Sequence, residues 1–220
     1  LGLDLPIHRQ YLHFLGRALQ GDLGRSFRTK QPVTSEIVTR LPNTVKLTVA
    51  SLSVAVLFGV GAGMVAAMFK GSWIDAATMV IAILGVSLPG FWLGLMLILL
   101  FAVQLGWFPV SGAATWRHLV LPAVTLGVLT SGILARMTRS SLLEELSRDY
   151  VRTARAKGLR ESAVIARHAL RNALIPVVTI VGLQLGQLLS GAFIIEAVFA
   201  YPGIGLLAVN ALQARDFPLI

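Results

Sequence analysis

Four stretches of this chain carry no charged residue: 23 residues between Lys46 and Lys70, 41 between Asp75 and Arg117, 18 between Arg117 and Arg136, and 24 between Arg171 and Glu196. No other feature limits the fold as severely. A helix crosses the hydrocarbon of a bilayer with about 20 apolar residues at ~1.5 Å rise each. No water is available there to satisfy a backbone left open, so spans of this kind are helical. The chain is expected to be an all-α integral membrane protein, a helical bundle. Its net charge of +9 does not indicate a nucleic-acid partner, because the positive residues flank apolar spans instead of collecting on one soluble face. Membrane lipid is the expected contact. Cysteine is absent, which excludes disulfides and thiolate metal sites.

The runs divide the chain. Residues 1–46 form an extracytoplasmic segment with short amphipathic helices: Ile7, Tyr11, Phe14 and Ala18 share one face, and Pro32 starts a second helix with Val33, Ile37 and Leu41 on its apolar side. Residues 47–220 form the membrane domain, with spans at about 47–69, 76–105, 118–135 and 172–195. Inside the second span, "SLPG" (87–90) predicts a kink or break at Pro89, which removes an amide donor and crowds the preceding turn. Trp107 and Trp116 are interface anchors. Gly59 and Gly63, four residues apart in "GVGAG", suit close helix packing. Without a preceding strand or a following acid they are no dinucleotide fingerprint. Segment 136–171 holds nine basic residues, and Lys70 on the same side makes ten, against six near the opposite ends of the spans. That bias puts 136–171 in the cytoplasm and the end segment 196–220 outside. The chain opens without methionine and its last residues break off abruptly, so both ends read as truncations.

The stretch "DYVRTARAKGLRESAVIARHALRNALIP" (149–176) is the unusual part. Arg148, Arg152 and Arg155 fall on one helical face, with Tyr150, Val151 and Ala154 beside them. Gly158 is placed to end that helix in a left-handed cap. A second helix then runs into the last span, and Pro176 predicts a bend there by freeing the carbonyl of Asn172. Spacing alone leaves two readings open: a docking elbow for a cytoplasmic partner, or a basic loop that holds topology and binds lipid phosphate.

No G-x-x-x-x-G-K-[ST] loop is present to cradle nucleotide phosphates. His8, His13, His118 and His168 lack metal-ligand spacing, and nothing makes a serine, a histidine and a carboxylate converge. No catalytic residue, metal site or enzyme activity is expected. In the last span Gln184 and Gln187 are candidates for a solute path, against a packing role in which amides bond between helices. Gly182 and Gly186 are candidates for close packing. Glu196, at the end of that span, reads as solvated or structural.

The run "YVRTARAKGL…RHALRNALIPV" closely resembles the cytoplasmic loop of permease subunits from ABC importers of the dipeptide/oligopeptide type. "YLHFLGRALQGDLGRSFRTKQPV", "RLPNTVKLT", "GVSLPGFWLGLML", "LGWFPVSG", "LPAVTLG", "ARMTRSSLLE" and "EAVFAYPGIGLLAVNALQARDFPLI" extend the resemblance over nearly the whole chain, most of all to dipeptide and glutathione permeases. The resemblance implies six spans in a complete subunit, of which this chain carries four. It also implies a second homologous permease subunit, two cytoplasmic ATPase subunits that bind ATP and Mg, and an extracytoplasmic solute-binding protein. The setting is the bacterial cytoplasmic (inner) membrane. It implies that Asp149, Arg152, Ala154, Lys157 and Gly158 contact the ATPase. Arg152, Thr153 and Ala154 stand where the general importer motif has Glu-Ala-Ala, and Ala-Leu-Ile-Pro ending at Pro176 replaces its Ile-x-Leu-Pro. The competing reading is a secondary transporter or channel without an ATPase, against which counts the lack of ionisable residues inside the predicted spans. A lipid-binding membrane scaffold is the third.

Overall fold

A computed structural model describes residues 6–220; the first five residues of the 1–46 segment lie outside them. Among the described residues the architecture is helical, and the only strand-like pairing is a bridge between Arg25 and Pro32. Helix α1 (Ile7–Leu19) buries none of its residues. A turn through Gly21 and Gly24, both at positive φ, leads to α2 (Val33–Met68).

Helix α2 departs from the sequence expectation. The piece starting at Pro32 is not a separate interfacial helix but the first third of one 36-residue helix, with Pro42 inside it. At ~1.5 Å per residue that helix is about 54 Å long, well beyond the ~30 Å of hydrocarbon, so its N-terminal part projects past the membrane. A proline's lost bond is tolerable in such a helix when neighbours and side chains satisfy the freed carbonyl.

Ser72 caps α3 (Trp73–Ser87), its hydroxyl accepting from the Asp75 amide at 3.4 Å. The helix ends where expected. Leu88 is extended (ψ 135°), as the residue before a proline must be, and Pro89 opens α4 (Gly90–Leu97), which continues as a π-helical segment, Ile98–Gln104. The two pieces meet at 101°, the geometry of a broken span or a re-entrant loop.

Helix α5 (Arg117–Leu146) is a single rod of 30 residues. It runs well past the predicted span 118–135 and brings Arg136 and Arg139 onto the same helix. Then come α6 (Asp149–Ala156) and the three-residue α7 (Glu161–Ala163), followed by a π-helical stretch, Val164–Ala169, that runs into α8 (Leu170–Gly191). The bend expected at Pro176 is absent as a break: α8 continues across it, and the irregular turn lies earlier, at Val164–Ala169. Helices α9 (Phe193–Val198) and α10 (Ile204–Ala214) close the chain.

Helix α5 is the axis on which α2, α3 and α8 lean. The α2–α5 seam is close because side chains are missing there. A Cβ on Gly59 would lie 2.7 Å from both the Leu134 Cβ and the Ser131 carbonyl, and one on Gly63 would collide with the Ala135 carbonyl. Three apolar clusters lie along this axis. One at the α9 end joins Leu47, Ile98, Leu121, Leu126, Ile195 and Phe199. A middle one joins Ala55, Leu134 and Val177. The third, at the α6 end, joins Ala67, Leu142, Val151, Val164, Ile165 and Ala169.

Candidate functional site

The elbow is built by one short helix docked under the bundle. Arg148 takes an extended conformation before α6, and the helix stops at Lys157. Gly158 follows with φ +75°, its amide donating to the Arg155 carbonyl at 2.9 Å. Nothing lies within 4 Å of where a Cβ would sit, so glycine is needed there for its backbone freedom and not for room. Val151 is fully buried and Ala154 is 6% exposed, both within the third cluster. Burying that face ties α6 to the ends of α2, α5 and α8 at once.

Asp149, Arg152, Lys157 and Gly158 all lie on the exposed side of the elbow. Ala154 does not. Expected among the partner contacts, it faces inward with Val151, three residues away on the same face; its small side chain lets α6 sit close to the bundle. The basic face is also partly neutralised. Arg148 donates to Glu144 at 2.6 Å, and Arg152 is 3.5 Å from Asp149. Arg155 grips Glu161 with two bonds, Nε to Oε2 at 3.0 Å and Nη2 to Oε1 at 2.6 Å. That last pair straddles Gly158 and fixes the angle between α6 and α7. It was not foreseen, although opposite charges flanking a predicted turn are a signal that could have found it.

A second tie joins three elements. The Tyr150 hydroxyl donates to Glu145 at 2.5 Å and accepts from the Asn172 amide at 3.1 Å. Burial, then the bond to the Glu145 carboxylate, push the Tyr150 phenol above its usual range, so it remains a donor at neutral pH. The end of α5, the start of α6 and the start of α8 therefore move together. The Asp75 carboxylate adds a clasp at the same end: Arg139 donates to it from Nε at 2.6 Å and from Nη2 at 2.7 Å, and so does the Gly71 amide at 3.0 Å.

The residues proposed for a solute path separate. Gln184 is 8% exposed, on the stripe of α8 that also carries Ala173, Val177 and Leu188 toward the bundle. It is turned into the helix packing and away from an open path within this chain. Gln187 lies on the exposed side. Gly182 and Gly186 meet nothing within 4 Å, so they do not pack against this chain's own helices, unlike Gly59 and Gly63. Periodicity had grouped these residues correctly on α8 but could not say which side faces in.

At the far end Glu196 is fully buried, which overturns its solvated reading. Thr44 donates to its Oε1 at 2.8 Å and the Leu206 amide to its Oε2 at 2.9 Å, while the Ile204 amide donates to the Thr44 hydroxyl at 2.8 Å. Asn43 adds a bond to the Pro202 carbonyl at 3.0 Å. The turn after α9 is thus pinned to α2. Asp216 does the same for the loop before α2. It is buried and accepts from the Ser26 hydroxyl and from the amides of Phe27 (2.9 Å) and Arg28 (3.3 Å).

The family described as "Binding-protein-dependent transport system inner membrane component" matches residues 59–220. The glutathione transport system permease protein GsiC of Pectobacterium atrosepticum is 50% identical over 220 residues, all of this chain and 72% of the relative. The protein of the same description from Escherichia coli K12 is 48% identical over the same shares. Among solved structures, the inward-facing MetNI methionine ABC transporter has a TM-score of 0.68 at 21% identity, over 81% of this chain and 81% of that one. An amino acid ABC transporter with histidines has a TM-score of 0.62 at 18% identity, over 84% and 83%. These two share the fold.

Proposed function

The chain belongs to the family of binding-protein-dependent transport system inner membrane components, multi-pass proteins of the bacterial inner membrane. On that footing we propose that it serves as a permease of the dipeptide/oligopeptide or glutathione type, moving peptide-like solutes by alternating access driven by ATP. The sequence has no phosphate loop, so hydrolysis is assigned to two separate ATPase subunits on the cytoplasmic face. A second homologous permease and an extracytoplasmic binding protein complete the assembly.

The observation that carries this reading is the anchoring of the elbow. One face of α6 is buried against the ends of α2, α5 and α8, while the other presents Asp149, Arg152 and Lys157 outward. A loop that only sets topology needs positive charge but no buried face. A coupling element needs both, because a push on its exposed side reaches the spans only through rigid packing. When the ATPase dimer closes, force on the exposed side passes through Val151 and Ala154 to α5 and α8, and the Arg155–Glu161 pair keeps the elbow from opening.

The absence of cysteine makes the test direct. A cysteine replaces Ala156, which is exposed on α6, in the full-length parent protein, and partner ATPases carry single cysteines across their surface. A crosslink whose yield changes with ATP is the expected result. With assembly verified, no crosslink from any ATPase position would reduce the elbow to a lipid-facing loop.

A further inference from the structure

Arg136 has no counter-ion among the described residues. It makes neither an ion pair nor a hydrogen bond with any of them, whereas Arg139, one turn away on α5, is fully engaged by Asp75. It lines a cavity of about 100 Å³ between α3 and α5 whose other walls are Met79, Ala82, Ile83, Val86, Ser87 and Gly132. About 28 Å of helix separates Arg117 from Arg136, so Arg136 sits at the inner edge of a hydrocarbon layer ~30 Å thick. Arg136 is exposed, and at that edge its long side chain can reach headgroups and water; its lack of a partner within this chain leaves the charge open to a ligand.

Two observations separate this arginine from one that merely reaches for lipid phosphate. Its Cα–Cβ bond tilts toward the N-terminus of α5, which is away from the elbow and the nearer headgroups. The cavity runs the same way, along α3 from Met79 to Ser87, which is away from Asp75. The cavity also stops at the break between α3 and α4, where Ser87 and Pro89 are exposed. Interrupted backbone is not tolerated against lipid and belongs beside protein or a water-filled path.

Resting on the permease reading above, we propose that Arg136 binds a carboxylate of the transported peptide-like solute on the elbow side of its path. The cavity is open on one side, and its walls leave room for a carboxylate beside Arg136. A peptide carries at least one carboxylate at neutral pH, and moving it unpaired through a low-dielectric channel costs several kcal/mol. A guanidinium at the inner mouth offsets that cost by donating two parallel N–H bonds to the carboxylate oxygens.

The test is charge rescue in a cysteine-free importer reconstituted with all its subunits, using radiolabelled S-methylglutathione as the probe, because its blocked thiol neither consumes a thiol reagent nor strips it from the protein. Arg136→Cys should lower uptake roughly tenfold, the scale of one lost charged hydrogen bond. Modification with a cationic aminoethyl thiosulfonate should restore most of it, while a neutral methyl reagent should not. S-methylglutathione under turnover should slow the labelling of Arg136→Cys. Uptake at wild-type level in Arg136→Cys, or equal rescue by the neutral reagent, would overturn the proposal. So would labelling indifferent to S-methylglutathione together with loss of co-purifying phospholipid, which would assign the site to a lipid headgroup. Should Arg136→Cys fail to assemble, Ser87→Cys beside an intact Arg136 reports on the same cavity, and absence of solute protection there would refute the assignment. Failure of the permease reading itself would show in the unmodified importer as no uptake of glutathione or of any peptide.

Discussion

Gly158 and Asp216 show two ways in which one residue sets a turn. At Gly158 the surrounding space is empty and the backbone is left-handed. Gly158→Val should therefore disturb the elbow through backbone strain of about 1–2 kcal/mol, with no clash involved. Asparagine tolerates that region far better, so Gly158→Asn should keep most ATP-coupled uptake while Gly158→Val loses it. Equal activity in the two would contradict the cap. At Asp216, burial raises the carboxyl pKa, but the Ser26 hydroxyl, the Phe27 and Arg28 amides and the Lys30 charge together hold it below the usual carboxylate range. The pKa is depressed in the folded state, so its stabilisation is present above the unfolded value of about 3.9 and disappears as pH falls through the lower folded value. Hydrogen exchange at Phe27 and Arg28, corrected for intrinsic rate, should be protected at neutral pH and lose protection only in acid below about pH 4. Asp216→Asn should remove most of the neutral-pH protection and flatten the dependence; a pH profile like that of wild type would refute the loop clasp.

The helices were legible in the sequence where a rule of exclusion applied, and obscure where only direction mattered. Charge-free runs fall within helices long and apolar enough to cross a membrane, three of them among the described residues or four if the bent pair is one span, because ionised groups are excluded from hydrocarbon; Pro89 located the break because its ring forbids helical backbone before it. Pro42 and Pro176 obey the same chemistry yet sit inside continuous helices. A long helix in membrane surroundings absorbs one lost bond when the break gains nothing in packing. Ala154 and Gln184 are buried in the helix packing of this chain, which the sequence left open, since a period of 3.6 states which residues share a side and not what that side meets. Glycine spacing was similarly ambiguous: Gly59/Gly63 and Gly182/Gly186 are both four apart, and only the first pair is in contact with this chain. Gly63→Leu should force α2 and α5 apart and cost about 1–3 kcal/mol, read as a fall in melting temperature of the solubilised full-length protein. Gly182→Leu should leave that temperature unchanged. If both variants melted like wild type, the α2–α5 seam would not be as close as the backbone shows.

At the scale of the whole molecule, two polar anchors terminate one rigid axis. The elbow end is held by Asp75–Arg139, Tyr150 and the buried face of α6, while the opposite end is held by Glu196 and Asp216; α5 runs between them as a single helix. Nothing in the sequence announced Glu196 as an anchor, because its donors come from 152 residues earlier at Thr44 and from the amide of Leu206. Hydrogen bonds to a buried acid depend on chain crossing, which composition and period do not encode. If Glu196 acts by accepting these bonds, its charge is secondary. Glu196→Gln keeps one accepting oxygen of the two; with that oxygen turned to the Leu206 amide and the Thr44 hydroxyl left without its acceptor, it should retain part of the stability of the far end. Glu196→Leu should orphan the Thr44 hydroxyl and the Leu206 amide, at about 1–3 kcal/mol for each group left buried without a partner. The readout is thermal unfolding of the full-length protein, together with exchange at Leu206, which should rise in Glu196→Leu and stay low in Glu196→Gln. Equal loss in both variants would mean that a single accepting oxygen cannot hold the turn and would refute the view that the Leu206 bond is the part that matters.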